Sequence, residues 1–138
     1  MQLAEFLSAC NQAYHPGRHM LGQTWNGPGY HTRIPNGTWA HPTRETLDYA
    51  LALLASGQPA DVARAADILD AVLALQDADP TSRTYGIWPW LAEEPLAEMA
   101  PPDWNWADFC GARLAQILAD YGALLPDTLR AATQSALG

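Results

Sequence analysis

The sequence predicts an all-α protein made of antiparallel helical hairpins, with a small hairpin or irregular segment near residues 18–42. Two observations lead to this prediction. Apolar residues recur every three to four positions in five separate stretches, which is the period of a helix with one buried face. Proline and glycine separate these stretches, and 138 residues are the length of a single domain with one core.

The first stretch predicts a helix over residues 2–14. Its apolar face consists of Leu3, Phe6, Leu7, Cys10 and Tyr14. A Pro-Gly pair follows, at which the helix must end. Beyond that pair the helical period disappears. Residues 30–34 and 38–40 flank a Pro-Asn-Gly turn, so we expect these two segments to pair as a small hairpin.

The next two stretches predict a helical hairpin. Thr43 is a suitable N-cap for a helix over residues 43–56, and Gly57 is suited to end it. A second helix begins at Pro59, because proline is favourable at the first helical position, and it continues until the Asp-Pro pair at residues 79–80. The short connection makes the two helices antiparallel.

Two further helices complete the predicted fold. After a short helical turn at residues 95–99, Asp103 is a suitable N-cap for a helix over residues 104–122. The last helix starts after Pro126 and runs to the end of the sequence. An open stack of hairpins leaves a hydrophobic face uncovered, so the sequence predicts either a homo-oligomer or a missing C-terminal part.

The composition argues against several classes of function. Fifteen acidic residues against seven arginines and no lysine give a formal charge of −8, so we expect no nucleic acid partner. The absence of lysine removes P-loop and Schiff-base chemistry, and no cofactor is implied. No long apolar run predicts a membrane span. No signal sequence is visible, so we expect a cytoplasmic protein or a secreted one whose signal was removed.

The histidines and cysteines form no recognisable metal motif. His15 and His19 are four residues apart, but the Pro-Gly pair between them prevents a continuous helix from aligning both rings. We therefore predict no metal site, and we interpret His31 and His41 as surface or packing residues. Both cysteines fall on apolar helix faces and are expected to be buried free thiols.

Residues 85–109 hold four of the six tryptophans and five carboxylates within 25 residues. Indole faces stack on apolar surfaces while neighbouring polar groups hydrogen-bond, which suits sugars and other hydroxylated small molecules. We therefore predict a carbohydrate-binding surface here. The candidate binding residues are Tyr85, Trp88, Trp90, Trp104, Asn105 and Trp106. The alternative interpretation is that these rings pack inside the core.

Three carboxylates of this segment are candidates for catalysis. Glycoside hydrolysis needs one group that protonates the leaving oxygen and a second that activates water or attacks carbon. Glu94 and Glu98 would share one face of a short helix. Asp108 is expected near the buried side of its helix, where it needs either a catalytic role or an ion pair with Arg113 or Arg83.

Three loop sequences join the predicted helices. They read Leu75-Gln76-Asp77-Ala78-Asp79-Pro80, Thr84-Tyr85-Gly86-Ile87-Trp88-Pro89-Trp90 and Pro101-Pro102-Asp103-Trp104-Asn105-Trp106-Ala107-Asp108-Phe109. Helical hairpins joined by such loops resemble the (α/α) toroids of the six-hairpin glycosidase-like group, over about residues 40–138. The resemblance implies that loops at one end line a sugar cleft, and that the activity is carbohydrate hydrolysis. A full toroid needs more hairpins than this chain offers.

Two alternatives to hydrolysis remain open. A polysaccharide lyase would use an asparagine with a tyrosine or histidine. The residues of these types are Asn105, Tyr85, Tyr30 and His41. A non-catalytic helical module would instead pack its aromatic loop against a partner chain. Exposed indoles beside carboxylates favour carbohydrate binding, whereas buried indoles favour the non-catalytic module.

Overall fold

The computed structural model describes residues 2–27, 32–99 and 101–138, which are mostly helical with two short strand pairs. The helices are α1 (Leu3–Ala13), α2 (Thr43–Ser56), α3 (Pro59–Leu73), α4 (Trp106–Tyr121) and α5 (Asp127–Ala136). Single turns of 3-10 helix lie at Leu96–Glu98 and Gly122–Leu124. The five predicted helices are thus confirmed, but the strand pairs mean that the fold is not strictly all-α.

The helix ends follow local signals in some places and tertiary contacts in others. Helix α2 starts and ends where predicted, and Gly57 ends it in the left-handed conformation with φ of +69°. Thr43 is not its N-cap, because Pro42 takes that position and Thr43 turns its hydroxyl toward a neighbouring loop. Asp103 does not cap α4 either. Its Oδ1 accepts a 3.0 Å hydrogen bond from the Asn105 N–H and organises the turn before the helix.

The segment between α1 and α2 forms two antiparallel strand pairs. These are β1 (Tyr14–His15) with β2 (Met20–Leu21), and β3 (Gln23–Thr24) with β4 (Trp39–Ala40). The predicted turn is present, with Gly37 at φ of +88°. The predicted partner of residues 38–40 is wrong, however. The Trp25 N–H donates to the Thr38 carbonyl at 2.8 Å, so β3 occupies the place expected for residues 32–34. Tyr30 and His31 lie outside the described residues.

Helices α2 and α4 lie side by side and run in the same direction. Arg113 of α4 binds Asp48 of α2 at 2.8 Å. One turn nearer the helix starts, the Cys110 Sγ lies 3.9 Å from the Thr43 Oγ1. Helix α3 packs against α2 and also against α5. The result is two neighbouring helical hairpins whose first helices are parallel.

The starts of α2 and α4 meet the ends of α3 and α5 at one end of the molecule. The Gln76 side chain, just after α3, donates a 2.9 Å hydrogen bond to the Ala136 carbonyl at the end of α5. The Trp88 Nε1 donates to the Val72 carbonyl near the end of α3 at 3.0 Å. Residues 14–27, 32–42, 74–99 and 101–105 cover this end of the molecule, and we call these segments the loop end.

The main hydrophobic core lies between the helices. Its fully buried side chains include Leu47, Leu53, Ile68, Leu114 and Ile117. Cys10 and Cys110 are buried free thiols, as predicted, and burial raises the pKa of the Cys110 thiol to about 12. None of the helices formed by the described residues combines the length and the hydropathy that crossing a bilayer requires.

Candidate functional site

The tryptophans of residues 85–109 divide into a buried group and an exposed one. Trp88 and Trp106 are only 1% and 2% exposed. Trp90 is half-buried between Trp25 and Trp106, with ring centroids 4.9 and 5.6 Å apart. These indoles stabilise the core of the loop end. They do not offer the open stacking faces that the sequence suggested, because the start of α4 carries Trp106 inward.

Tyr85 and Trp104 are the two predicted binding residues with exposed rings, at 57% and 55% exposure. The Trp104 Nε1 donates a 3.0 Å hydrogen bond to the Arg83 carbonyl, which fixes the indole against the loop. Asn105 is also exposed. The structure therefore keeps three of the six predicted binding residues accessible: Tyr85, Trp104 and Asn105.

Two open cavities flank these exposed rings. The first has a volume of about 820 Å³, and its lining includes Tyr85, Asp108 and Leu137. The second has a volume of about 690 Å³, and its lining includes Trp104 and Arg83. Both volumes fall within the range of small-molecule sites. The first cavity brings together a predicted binding residue and a predicted catalytic residue.

The three predicted catalytic carboxylates occupy different environments. Asp108 is exposed rather than near the buried side of α4. Arg113, expected as its partner, binds Asp48 instead. Glu94 is buried, and its Oε2 accepts a 2.6 Å hydrogen bond from the Arg33 N–H.

Glu98 is exposed on the 3-10 turn that begins at Leu96, so it shares no helix with Glu94. The expected common face is therefore absent, because the helical turn starts only after Pro95. Of the three predicted catalytic carboxylates, Asp108 and Glu98 are exposed to solvent.

The loop after α3 is organised by Asp77. Its carboxylate accepts hydrogen bonds from the Ser82 and Thr84 hydroxyls and from the Asp79 N–H. These bonds lower the pKa of Asp77, the Ser82 and Thr84 bonds being the largest causes. Helix α3 consequently ends at Leu73, earlier than the sequence suggested. The Asp77 carboxylate stabilises this turn, as the Asp-x-Asp-Pro sequence indicates.

A second cluster at the loop end joins three residues that are far apart in sequence. The His41 Nδ1 lies 2.7 Å from the Glu93 Oε2, and the His41 Nε2 lies 3.0 Å from the His15 Nδ1. The two imidazole rings meet edge to edge along this hydrogen bond, with centroids 5.2 Å apart and ring planes inclined by 27°. His41 is buried and His15 is exposed. We call His15, His41 and Glu93 the imidazole relay.

Backbone pairing holds the middle of the imidazole relay in place. The His41 N–H donates to the Glu93 Oε1 at 2.7 Å, and the Ala92 N–H donates to the His41 carbonyl at 2.9 Å. Burial raises the pKa of the Glu93 carboxyl, but the hydrogen bonds from His41 outweigh burial and the net shift is downward. Arg18 adds a longer ion pair to Glu93, at 3.5 Å. Glu93 is therefore held as a carboxylate.

No sequence pattern predicts the imidazole relay. The sequence predicts His41 only as a surface or packing residue, and tertiary contacts bring it beside His15 and Glu93. His15 and His19 also have separate partners, since the His19 Nδ1 lies 3.1 Å from the Tyr14 hydroxyl. Across residues 2–27, 32–99 and 101–138, no three histidine, cysteine or acidic side chains gather as metal ligands.

Comparison with protein-family models assigns almost the whole chain to one family. The model of a domain of unknown function, DUF8769, matches residues 13–138. The chain belongs to the DUF8769 family. The matched part of this DUF8769 chain contains all three residues of the imidazole relay and the whole of residues 85–109. No curated protein and no solved structure gives a significant match.

Proposed function

We propose that the chain binds carbohydrate at its loop end, and that it is similar to part of an (α/α) toroid with glycoside-hydrolase-like activity. One observation carries the proposal: the exposed ring of Tyr85 and the exposed carboxylate of Asp108 line the same cavity. Sugars present an apolar face and a rim of hydroxyl groups. An accessible aromatic ring and a carboxylate in one cavity match both features.

Trp104 supports the proposal as a second, rigid aromatic platform. Its hydrogen bond to the Arg83 carbonyl fixes the indole while more than half of its surface remains exposed. A ring that is already held in place loses little conformational entropy when a ligand stacks on it. Tyr85 lies two residues after Arg83, so one loop positions both rings.

The packing of the helices supports the comparison with a toroid. Two consecutive hairpins stack with their first helices, α2 and α4, parallel, and with their second helices, α3 and α5, in contact. A ring of hairpins is built by repeating this step. The same packing brings the connecting loops to one end, where the resemblance predicts a sugar cleft.

Asp108 is our candidate for the acid or base in hydrolysis. It is exposed and lines the cavity, whereas Glu94 is buried and already accepts a hydrogen bond from the Arg33 N–H. Glu98 is the exposed candidate for the second carboxylate. An Asp108→Asn variant should stay folded and lose turnover of any glycan that the chain cleaves. Unchanged turnover would remove Asp108 from the mechanism.

Binding itself can be tested by tryptophan fluorescence titrated with a panel of neutral and acidic oligosaccharides. We expect a saturable change for the unmodified chain, and its loss or marked weakening in Trp104→Ala and Tyr85→Ala. Leu124→Ala is the control, because Leu124 is also exposed, at 46%, but lines neither cavity described above. If no oligosaccharide changes the fluorescence, the non-catalytic module becomes the better interpretation.

A further inference from the structure

The hydrogen bonds of the imidazole relay determine where its protons lie. The Glu93 carboxylate can only accept, and its two oxygens face the backbone N–H and the ring Nδ1 of His41. The His41 ring must therefore donate from Nδ1. A neutral imidazole has one donor and one acceptor nitrogen, so the His41 Nε2 carries a lone pair.

The same argument fixes the outer ring. The lone pair of the His41 Nε2 accepts from the His15 Nδ1, 3.0 Å away. His15 thus has its proton on Nδ1 and a lone pair on Nε2. Because His15 is exposed, Glu93 acts through the buried His41 ring to keep a basic nitrogen available on an accessible residue.

His15 is exposed, and the residue at position 17 bears directly on access to its Nε2. A Cβ at position 17 would lie 3.2 Å from the His15 Nε2, so Gly17 keeps the approach clear. Trp39 is 56% exposed and meets the His41 ring edge-on at 6.5 Å between centroids. An open apolar ring face therefore stands close to the relay. Arg18 forms an ion pair with Glu93 at 3.5 Å.

We propose that His15 is a proton-accepting catalytic residue for a hydroxyl group of a molecule that rests on Trp39. The substrate O–H bond breaks, its electron pair stays on oxygen, and the proton forms an N–H bond at the His15 Nε2. The His15 Nδ1 proton can then pass to the His41 Nε2, which places the positive charge beside Glu93. His41 and Glu93 are positioning residues.

The choice of a hydroxylated substrate rests on the proposed function, whereas the relay rests on its own hydrogen bonds. The tests below use no sugar, so the two ideas fail separately. If the chain binds no oligosaccharide but shows the expected proton positions, His15 remains the proposed proton acceptor and the carbohydrate substrate is contradicted. If the chain binds oligosaccharide but shows different proton positions, the assignment of His15 as the proton acceptor is contradicted.

Proton positions can be read directly by ¹⁵N NMR of the imidazole rings in the unmodified chain. Above the pH at which the rings titrate, we expect both His15 and His41 to show a protonated Nδ1 and an unprotonated Nε2. A proton on the His15 Nε2 under these conditions would overturn the proposal. This measurement needs no substitution and so does not depend on whether a variant folds.

Glu93→Gln should reverse the direction in which the hydrogen bonds of the imidazole relay are donated. The His41 backbone N–H can only donate, so the glutamine oxygen takes that bond and the amide NH₂ faces the His41 Nδ1. His41 then carries its proton on Nε2, and His15 must accept at Nδ1. We expect the His15 Nε2 to become protonated in this variant, and an unchanged His15 tautomer would contradict the proposal.

Diethyl pyrocarbonate, which acylates unprotonated imidazole nitrogen, tests the reactivity of His15, with mass spectrometry locating the modified residue. His19 is an internal control, because it is exposed and its Nδ1 is also engaged, but by the Tyr14 hydroxyl, which can donate or accept, and not by an imidazole held by a carboxylate. We expect His15 to react faster than His19, and Glu93→Gln to slow His15 by about tenfold or more without changing His19. Equal rates at both residues would overturn the proposal.

Gly17→Val separates access from proton position. Its Cβ would lie 3.2 Å from the His15 Nε2, and the three atoms nearest to that Cβ all belong to the His15 ring. We expect slower acylation of His15 with an unchanged ¹⁵N tautomer. A relay with only a structural role would give the opposite combination, an unchanged acylation rate with a changed tautomer. Acylation as fast as in the unmodified chain would show that Nε2 is not the reactive atom and would contradict the assignment.

Discussion

The hydroxyl of Thr43, the first residue of α2, donates a buried 2.8 Å hydrogen bond to the carbonyl of Pro89. The Thr43 N–H also donates to the Trp90 carbonyl at 3.1 Å. These bonds tie the start of α2 to the loop that carries Trp88 and Glu93. Thr43 therefore connects the helical core to the loop that carries both the buried indole of Trp88 and the Glu93 carboxylate of the imidazole relay.

Thr43→Val tests this connection. Valine has nearly the shape of threonine but leaves the buried Pro89 carbonyl without its hydroxyl donor, so we expect the free energy of unfolding to fall by about 1–3 kcal/mol. Thr43→Ser, which keeps the hydroxyl, should cost less than Thr43→Val. Urea denaturation followed by circular dichroism measures both, and equal losses would mean that the hydroxyl contributes nothing.

Trp88 and Trp104 should differ sharply in their contribution to stability. Trp88 is 1% exposed and bonds the Val72 carbonyl, so Trp88→Ala should lower the free energy of unfolding by about 3–5 kcal/mol. Trp104 is 55% exposed, and Trp104→Ala should cost less than about 1 kcal/mol. Thermal denaturation of the two variants compares them. Similar losses would contradict the division into core and surface indoles.

The Cys110 thiol should make stability depend on pH at alkaline values. Its pKa is raised from 9.0 to about 12 by burial, so the unfolded chain ionises this thiol first. The contribution of Cys110 is complete below pH 9 and is lost as the pH rises toward 12. Urea unfolding from pH 8 to 11 should show stability falling more steeply than in Cys110→Ala. Parallel pH profiles would contradict this prediction.

Glu93 should make stability depend on pH at acidic values. Its pKa is lowered below the ordinary 4.5 in the folded chain, chiefly by the hydrogen bonds from His41, which outweigh burial. The stabilisation is complete above pH 4.5 and is lost as the pH falls through the folded pKa. Urea unfolding between pH 3 and 6 should show a shallower loss for Glu93→Gln. An equally steep loss in the variant would mean that other carboxylates cause it.

Gly57 and Gly122 form a matched pair for testing backbone conformation. Gly57 has φ of +69°, which alanine adopts only with strain, so Gly57→Ala should destabilise the chain by about 1 kcal/mol. Gly122 is at negative φ, and a Cβ there meets only the Arg130 side chain at 3.8 Å. Gly122→Ala should therefore be neutral or stabilising. Midpoints of urea denaturation measure both, and equal effects would contradict the conformational argument.

The sequence by itself determined the helices. Apolar residues at helical spacing, together with Pro59 and Gly57 at helix ends, predicted α2 and the start of α3 to the residue, because these signals act between residues close in the chain. It also determined that Cys10 and Cys110 are buried free thiols, since both lie on apolar helix faces.

Only the tertiary structure decided which side chains in the tryptophan-rich segment, residues 85–109, face solvent. Trp104 and Trp106 are two positions apart in the same tryptophan-rich stretch, yet one is exposed and the other is buried where α4 begins. The imidazole relay is likewise invisible in the sequence. Its three residues meet because the pairing of His41 with Ala92 and of β3 with β4 joins distant segments, and no local pattern encodes such contacts.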